Sequence, residues 1–440
     1  MTPTISAGDT AWVLVSTALV MLMVPGLALF YGGLVRQKNA LNTFMMSLAA
    51  LAIVSVQWVV AGYSLAFGPG TSLFGGLSWW GLTGVGAEPN AAYAATVPHL
   101  AFAAFQAMFA AITVALISGA VVERLRFSAY LLFALAWTTF VYDPLARWVW
   151  GDGGWLRSLG ALDFAGGTVV HVSAGTAALV AALLLGRRHA IARAGLVPHN
   201  VPFTLLGAGL LWFGWFGFNA GSALSASGVA VTALVNTHAA AAAALACWLL
   251  IDLTRSRRTT AVGAATGAIV GLVAITPAAG FVTPRAALLI GAAAAGVVYE
   301  AMQLRARTRI DDALDVFACH GVAGILGALL TGVFATKAVN PGGADGLLAG
   351  NPRQLGVQAI AVLATMALSG AFTAAIIVGL RAVMPIRASL GDELTGLDAT
   401  EHGEEAYHTG DIGELAGSTP LGGVILIHTE EEQETATAAA

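Results

Sequence analysis

Eleven runs of apolar residues, at approximately 11–34, 41–66, 99–121, 128–147, 164–186, 202–220, 228–252, 260–276, 286–304, 313–334 and 355–384, divide most of the chain. Each is near the ~20 residues that a helix needs to cross a bilayer. Hydrocarbon offers no partner for a free N–H or C=O, so each run must satisfy its backbone internally, as a helix does. Only 10% of the residues are charged and 58% are apolar, whereas a soluble domain carries roughly 25% charged residues. A soluble enzyme is therefore excluded, and the chain reads as an all-α polytopic membrane protein.

Lys and Arg provide an independent test of the count, because they concentrate in alternate loops when the spans are numbered correctly. On the side of the first loop lie Arg36, Lys38, Arg124, Arg126, Arg187, Arg188, Arg193, Arg255, Arg257, Arg258, Arg305, Arg307, Arg309, Arg381 and Arg387. The other side keeps Arg147, Arg157, Arg285, Lys337 and Arg353. This fifteen-to-five split predicts eleven spans with the N-terminus outside and the C-terminus in the cytoplasm. No Lys or Arg precedes Arg36 and the opening MTPTISAGDT is polar, so the first run is read as a mature helix rather than a signal peptide. The net charge of -4 comes with no basic run, which gives nucleic acid no surface. Cys247 and Cys319 both fall in apolar stretches and read as ordinary buried thiols. The 53 glycines and runs such as GAAAAGVV at 291–298 let helix backbones approach closely, predicting a tight bundle rather than a wide pore.

Two spans share a motif. His171 opens HVSAG in the fifth and His320 opens HGVAG in the tenth, so both read H-x-x-A-G, with Asp163 and Asp315 preceding them. Five spans separate the copies, an odd number, so the two run in opposite directions. That is the mark of an inverted repeat, which in many transporters places the functional site at the repeat interface near the midplane. Each histidine alone could simply bond a neighbouring helix; two in related positions point to function.

DFAGGTVVH at 163–171, WFGWFGFNAGS at 212–222, DVFACHGVAG at 315–324, FQAMFAAITVALISGAVVERLRF at 105–127 and TPAAGFV at 276–282 resemble the ammonium transporter family (Amt/Mep/Rh), in its bacterial Amt form, over about residues 11–407. The resemblance implies a homotrimer in the plasma or inner membrane, each subunit with its own narrow pore between two inverted five-helix repeats. It assigns Trp150, Phe109 and Ser222 to an outer vestibule that recruits ammonium, Phe109 and Phe218 to a stacked phenyl gate, Trp215 to the lining below, and His171 and His320 to the lumen. Asp163 matches a buried carboxylate near the vestibule. Its charge would hold a direct ligand too tightly, so capping of the helix start is favoured, with its field assisting recruitment.

These residue types suit the chemistry. Aromatic faces and a hydroxyl can replace the water of a small cation, while a dry gate and imidazoles are poor hosts for full charge and favour loss of a proton. Potassium has none to lose. Two alternatives stand beside this reading. A Rh-type neutral ammonia or carbon dioxide channel needs no cation-recruiting Trp150 and Ser222, and an ammonium sensor commonly carries a fused signalling domain for which the tail has no room. Neither a nucleotide motif nor a metal-ligand cluster is present, so no cofactor or metal is expected.

The remaining polar residues have simpler readings. His238 is expected to be an interhelical contact, and Glu123 and Glu300 sit at helix ends. Asp315 caps the tenth span or pairs with loop arginines. His99, His189 and His199 read as interfacial or solvated, and Trp79, Trp80 and Trp148 as interface anchors. The transporter domain is placed at 1–384 and a cytoplasmic regulatory tail at 385–440. GDELTGLDATEHGEEAYH at 391–408 resembles the family segment that couples subunits, and a PII-type signal protein is the family's usual partner there. TEEEQETATAAA reads as a disordered acidic end, and PLGGVILIH at 420–428 as an apolar island.

Overall fold

The computed structural model describes residues 4–189 and 197–407. Among these, ten helices are long and apolar enough to cross a membrane: α1 Ala7–Leu34, α2 Gln37–Phe67, α3 His99–Val121, α4 Phe127–Val149, α5 Gly167–Leu185, α6 Val201–Ala220, α7 Gly228–Arg255, α9 Pro284–Ala306, α10 Phe317–Phe334 and α11 Pro352–Val383. The eighth predicted span is the shorter α8, Ala261–Ile275. Its 15 residues rise only about 22 Å, and the chain continues through mostly buried turns at 276–282.

Local sequence sets many of the helix starts. Ser6 accepts from Asp9 N at the head of α1, and Asn200 from Phe203 N at the head of α6. Thr260 and Thr283 do the same for α8 and α9, each side-chain oxygen taking an N–H that the first turn leaves free. Pro284 and Pro352 sit at the first helical position, where a missing N–H costs nothing.

The neighbour relations of the first five helices recur in the next five. The contacts α1–α3, α2–α3, α2–α4 and α3–α5 have counterparts in α6–α8, α7–α8, α7–α9 and α8–α10. The two halves meet along α1 and α6 and where α5 crosses α10, and α11 runs over α4, α5 and α10. Both α5 and α10 begin with a π-helical turn, Gly167–Val172 and Phe317–Val322, a wider winding that recurs at functional sites.

The crossing of α5 and α10 depends on the glycines of the repeated motif. A Cβ on Gly175 would lie 2.2 Å from Gly321 N, and one on Gly324 would lie 3.0 Å from Gly167 O. Gly291 of the GAAAAGVV run is likewise pressed against Ala240 O of α7, whereas Gly296 faces open space. Small residues therefore set interhelical distance at particular positions and not throughout.

The helix ends on the Lys/Arg-rich face are tied by ions. Glu123, at φ 68°, accepts from Arg36 and Asn39 through Oε1 and pairs with Arg188 at 2.8 Å through Oε2. Arg188 in turn holds Asp311 at 2.7 Å. Burial alone would push the Glu123 carboxyl up, but Arg188 and Arg36 hold it below the usual range.

The expected domain boundary at 384/385 falls where α11 ends, yet the compact unit continues to Ala406. A short helix α12, Leu390–Thr395, opens with a Ser389/Asp392 capping box. Beyond it the Asp398 carboxylate accepts from Leu41 N and Asn42 N at the start of α2. The readings of 420–428 and of the acidic end lie outside the described residues.

Candidate functional site

Trp150 follows the last turn of α4, and its indole N–H donates to Asp163 O at 2.9 Å. This bond joins the end of α4 to the approach to α5. The ring stands edge-on to Phe109 of α3, centroids 6.1 Å apart. Together with Ser222, Gln106 and Tyr93 these rings line a mouth of about 200 Å³ on the face opposite the Lys/Arg-rich loops. The Ser222 hydroxyl donates to Phe218 O at 2.8 Å, which leaves its lone pairs free to accept. Tyr93 reaches the mouth from a small hairpin, Pro89–Asn90 paired with Ala94–Pro98.

Below the mouth Phe109 and Phe218 stack with centroids 4.3 Å apart, and both are buried. Phe218 lies 6.0 Å from the His171 ring, which stacks on Trp215 at 5.5 Å and on His320 at 5.3 Å. Trp215 is anchored by its N–H to Thr276 Oγ1 at 2.9 Å. Around the imidazoles is a space of only about 10 Å³, lined otherwise by residues such as Ile112, Leu116, Val170, Leu211 and Ile269. That is close to the room one water needs, and its wall has few polar groups to hold one.

The histidines face one another Nδ1 to Nδ1 at 3.3 Å. With both rings neutral, one Nδ1 must donate and the other accept. The donor ring then has a bare Nε2 and the acceptor ring an Nε2–H, so the pair offers one acceptor and one donor in addition to the bond it makes. Among the described residues His171 Nε2 is buried without a partner.

Asp163 does not enter this column. Its Oδ1 accepts from Gly166 N and Gly167 N, and its Oδ2 from Thr168 N, Val169 N and the Thr168 hydroxyl. The carboxylate thus takes the free N–H groups at the wide first turn of α5 and fixes the turn that carries His171. Burial pushes its carboxyl up, against the pull of those donors.

In the second half the corresponding bond is made by Asp312, whose Oδ2 accepts from Phe317 N at 2.7 Å. Asp315 instead pairs with Arg305. Asp312 precedes His320 by eight residues, as Asp163 precedes His171; that equal spacing was the available signal.

Other expectations need correction. His99 is buried, not solvated: its ring nitrogen meets Tyr63 Oη at 2.5 Å and its ring packs on Trp79 at 4.8 Å. Trp79 is accordingly a packing residue around His99 and Tyr63 as well. His238 of α7, by contrast, makes an interhelical contact as expected, its ring beside Trp212 and Phe216 of α6 on the outer side of the bundle, away from the imidazole pair. Phe105, stacked edge-on against Phe109 at 4.9 Å, and the mouth residues Gln106 and Arg157 were not singled out from sequence.

The model of the Ammonium Transporter Family matches residues 11–407. The chain is 51% identical over 401 residues to an ammonium transporter of Bacillus subtilis, covering 91% of this chain and 98% of that one. It is 46% identical over 403 residues to ammonium transporter Amt1 of Archaeoglobus fulgidus, covering 91% and 100%. The crystal structure of Saccharomyces cerevisiae Mep2 superposes with a TM-score of 0.83 at 38% identity, over 88% of each chain. A solved sensor Amt protein superposes with a TM-score of 0.82 at 30% identity, over 90% of this chain and 98% of that one. With the family model spanning nearly the whole chain and relatives matching it almost end to end, this protein is a member of the ammonium transporter family.

Proposed function

We propose that the protein recruits ammonium at the Trp150–Ser222–Phe109 mouth, strips its proton near the Phe109/Phe218 gate, and passes ammonia along His171 and His320. The mouth opens outside the cell, and the Lys/Arg-rich loops and the C-terminus face the cytoplasm. The homotrimer, the plasma or inner membrane location and a PII-type cytoplasmic partner come with the family resemblance.

One observation carries this reading: an unbroken column of rings runs from the mouth to the centre of the bundle, Trp150, Phe109, Phe218, His171, His320. At its head, π faces and the Ser222 lone pairs can replace hydration. Further in, the space narrows to about 10 Å³ with apolar walls, where an unshielded charge is costly. A cation that can leave a proton behind continues as a neutral molecule. Potassium keeps its charge and is rejected. The donor and acceptor nitrogens of the imidazole pair can bond ammonia in transit and relay a proton.

The test is a current measurement on proteoliposomes adsorbed to a supported membrane, after jumps of ammonium, methylammonium and potassium. A transient specific for ammonium and methylammonium that decays faster at higher protein density supports charge-coupled transport. No current but accelerated internal alkalinisation would favour the neutral channel. Silence in both assays with ammonium still bound would favour a sensor, to which the solved sensor Amt protein is the structural parallel.

A further inference from the structure

The mouth contains a fixed positive charge. Arg157, on the short helix Trp155–Leu159, lines the same space as Trp150, Phe109 and Ser222. Its guanidinium donates to Trp150 O at 2.8 Å and to Ala92 O at 3.2 Å. It therefore joins the indole's own backbone to the hairpin that carries Tyr93. Arginine stays charged at any physiological pH, and no carboxylate pairs with it among the described residues. Asp152 stands exposed nearby but does not line the mouth, and the Asp163 carboxylate is taken up by its own helix start.

A cation-recruiting mouth with a cation in its wall works against itself unless the repulsion has a use. We propose that Arg157 is a specificity-determining residue of the mouth: its charge weakens ammonium binding and gives that binding an inverted salt dependence. The inference rests on the recruitment reading above and deepens it. Groups that attract a cation only by charge are offset by Arg157, so the net attraction falls to ring faces and hydroxyl lone pairs. Those act at contact range and favour a small hydrogen-bonding cation that can seat against Trp150 and donate to Ser222. Weak holding also shortens residence in the mouth, which favours onward passage. Repulsion between unit charges several ångströms apart in a water-filled mouth corresponds to roughly a threefold loss of affinity. Salt screens this loss, because the Debye length falls from about 30 Å at 0.01 M to under 10 Å above 0.1 M.

The experiment compares Arg157→Gln, Arg157→Lys and Trp150→Leu with the parent protein in proteoliposomes. Half-saturating ammonium is read from supported-membrane currents, or from alkalinisation if no current flows. Ionic strength is stepped from about 0.01 M to about 0.3 M with N-methylglucamine chloride. In the parent, half-saturating ammonium is expected to fall about twofold as salt rises, because charges several ångströms apart are only partly screened. Arg157→Gln is expected to start about threefold lower at low salt and stay nearly flat, while Arg157→Lys keeps the downward slope. An Arg157→Gln protein with the parent's salt response overturns the proposal. Gln and Lys variants that shift together also overturn it, since both disturb the fork between Trp150 and Ala92 but only one removes the charge. Trp150→Leu separates the two levels. If it weakens recruitment while Arg157→Gln follows the parent, the charge inference alone fails; if it too leaves half-saturation unchanged, the mouth itself has been misassigned.

Discussion

Gly175→Ala adds one methyl group at the point where the two halves of the bundle cross, and its effect can be worked from the backbone. The new Cβ would stand 2.2 Å from Gly321 N and 2.3 Å from Gly321 Cα. Both are main-chain atoms, so no side chain can swing aside, and relief requires α5 and α10 to part by more than about 1 Å, as overpacked helices must. Gly321 adjoins His320, and Gly175 lies one turn after His171, so the displacement reaches the imidazole contact directly. That contact spans 3.3 Å now; opening it by ~1 Å takes it beyond hydrogen-bond range. The expected stability loss is about 1–3 kcal/mol, and transport should fall on the order of ten- to a hundredfold. Thermal stability in detergent and ammonium-evoked current per folded protein measure the two effects separately. Gly291→Ala presses on Ala240 O at 2.1 Å, far from the histidines in sequence and on other helices, and should cost stability while sparing the current. Gly296→Ala meets nothing within 4 Å and should gain about 0.5–1 kcal/mol. A Gly175→Ala protein with parental melting and parental current would refute the link from crossing distance to site geometry.

Three further outcomes follow from the charged and capping groups. Glu123→Gln removes the shared partner of Arg36 and Arg188 and should destabilise by about 3–5 kcal/mol, read as a lowered unfolding temperature. At Asp312, burial and the neighbouring Asp315 raise the carboxyl to about 6 from 3.8. The folded state therefore binds this proton more tightly than the unfolded chain, and its contribution to stability declines as pH rises from about 4 to about 6 and is then level. Asp312→Asn should abolish that decline and gain at most roughly 3 kcal/mol above pH 6, measured by unfolding across pH with the Asp312 Oδ2 bond to Phe317 N retained by the amide oxygen. Asp163→Ala strands the N–H groups of residues 166–169 and should cost about 2 kcal/mol or more. Asp163→Asn should cost less, and the difference between the two in unfolding assays isolates the cap.

Much of the architecture could be read without coordinates because its cause is local. An apolar run long enough to span hydrocarbon has little choice but to become a helix, and ten of the eleven runs do so at nearly full length; only 260–276 is cut to the 15-residue α8 and its turns. The repeated H-x-x-A-G was equally visible. Its distance was not: nothing in HVSAG or HGVAG states that the glycines permit backbone contact or that the rings meet at 3.3 Å. The second cap was missed because Asp315 lies nearer to His320, although Asp312 keeps the eight-residue spacing that Asp163 holds to His171, and at the wide π-helical turn of α10 it is Asp312 that reaches the free N–H.

The groups whose partners went unread share a feature: those partners are distant in sequence. Glu123 meets Arg36 and Arg188 across 87 and 65 positions, and Arg157 meets Ala92 across 65. His99 was misread as solvated because Tyr63 and Trp79, which enclose it, sit on the far side of a long loop. Period, length and charge alternation depend on neighbours along the chain, so the helices, their alternating sense and the residue types available for chemistry are legible from the residues alone. Which side chains share a column, a mouth or an ion network depends on how closely whole helices approach. Backbone contact at a few glycines sets that approach, and such contact exists only once whole helices have packed.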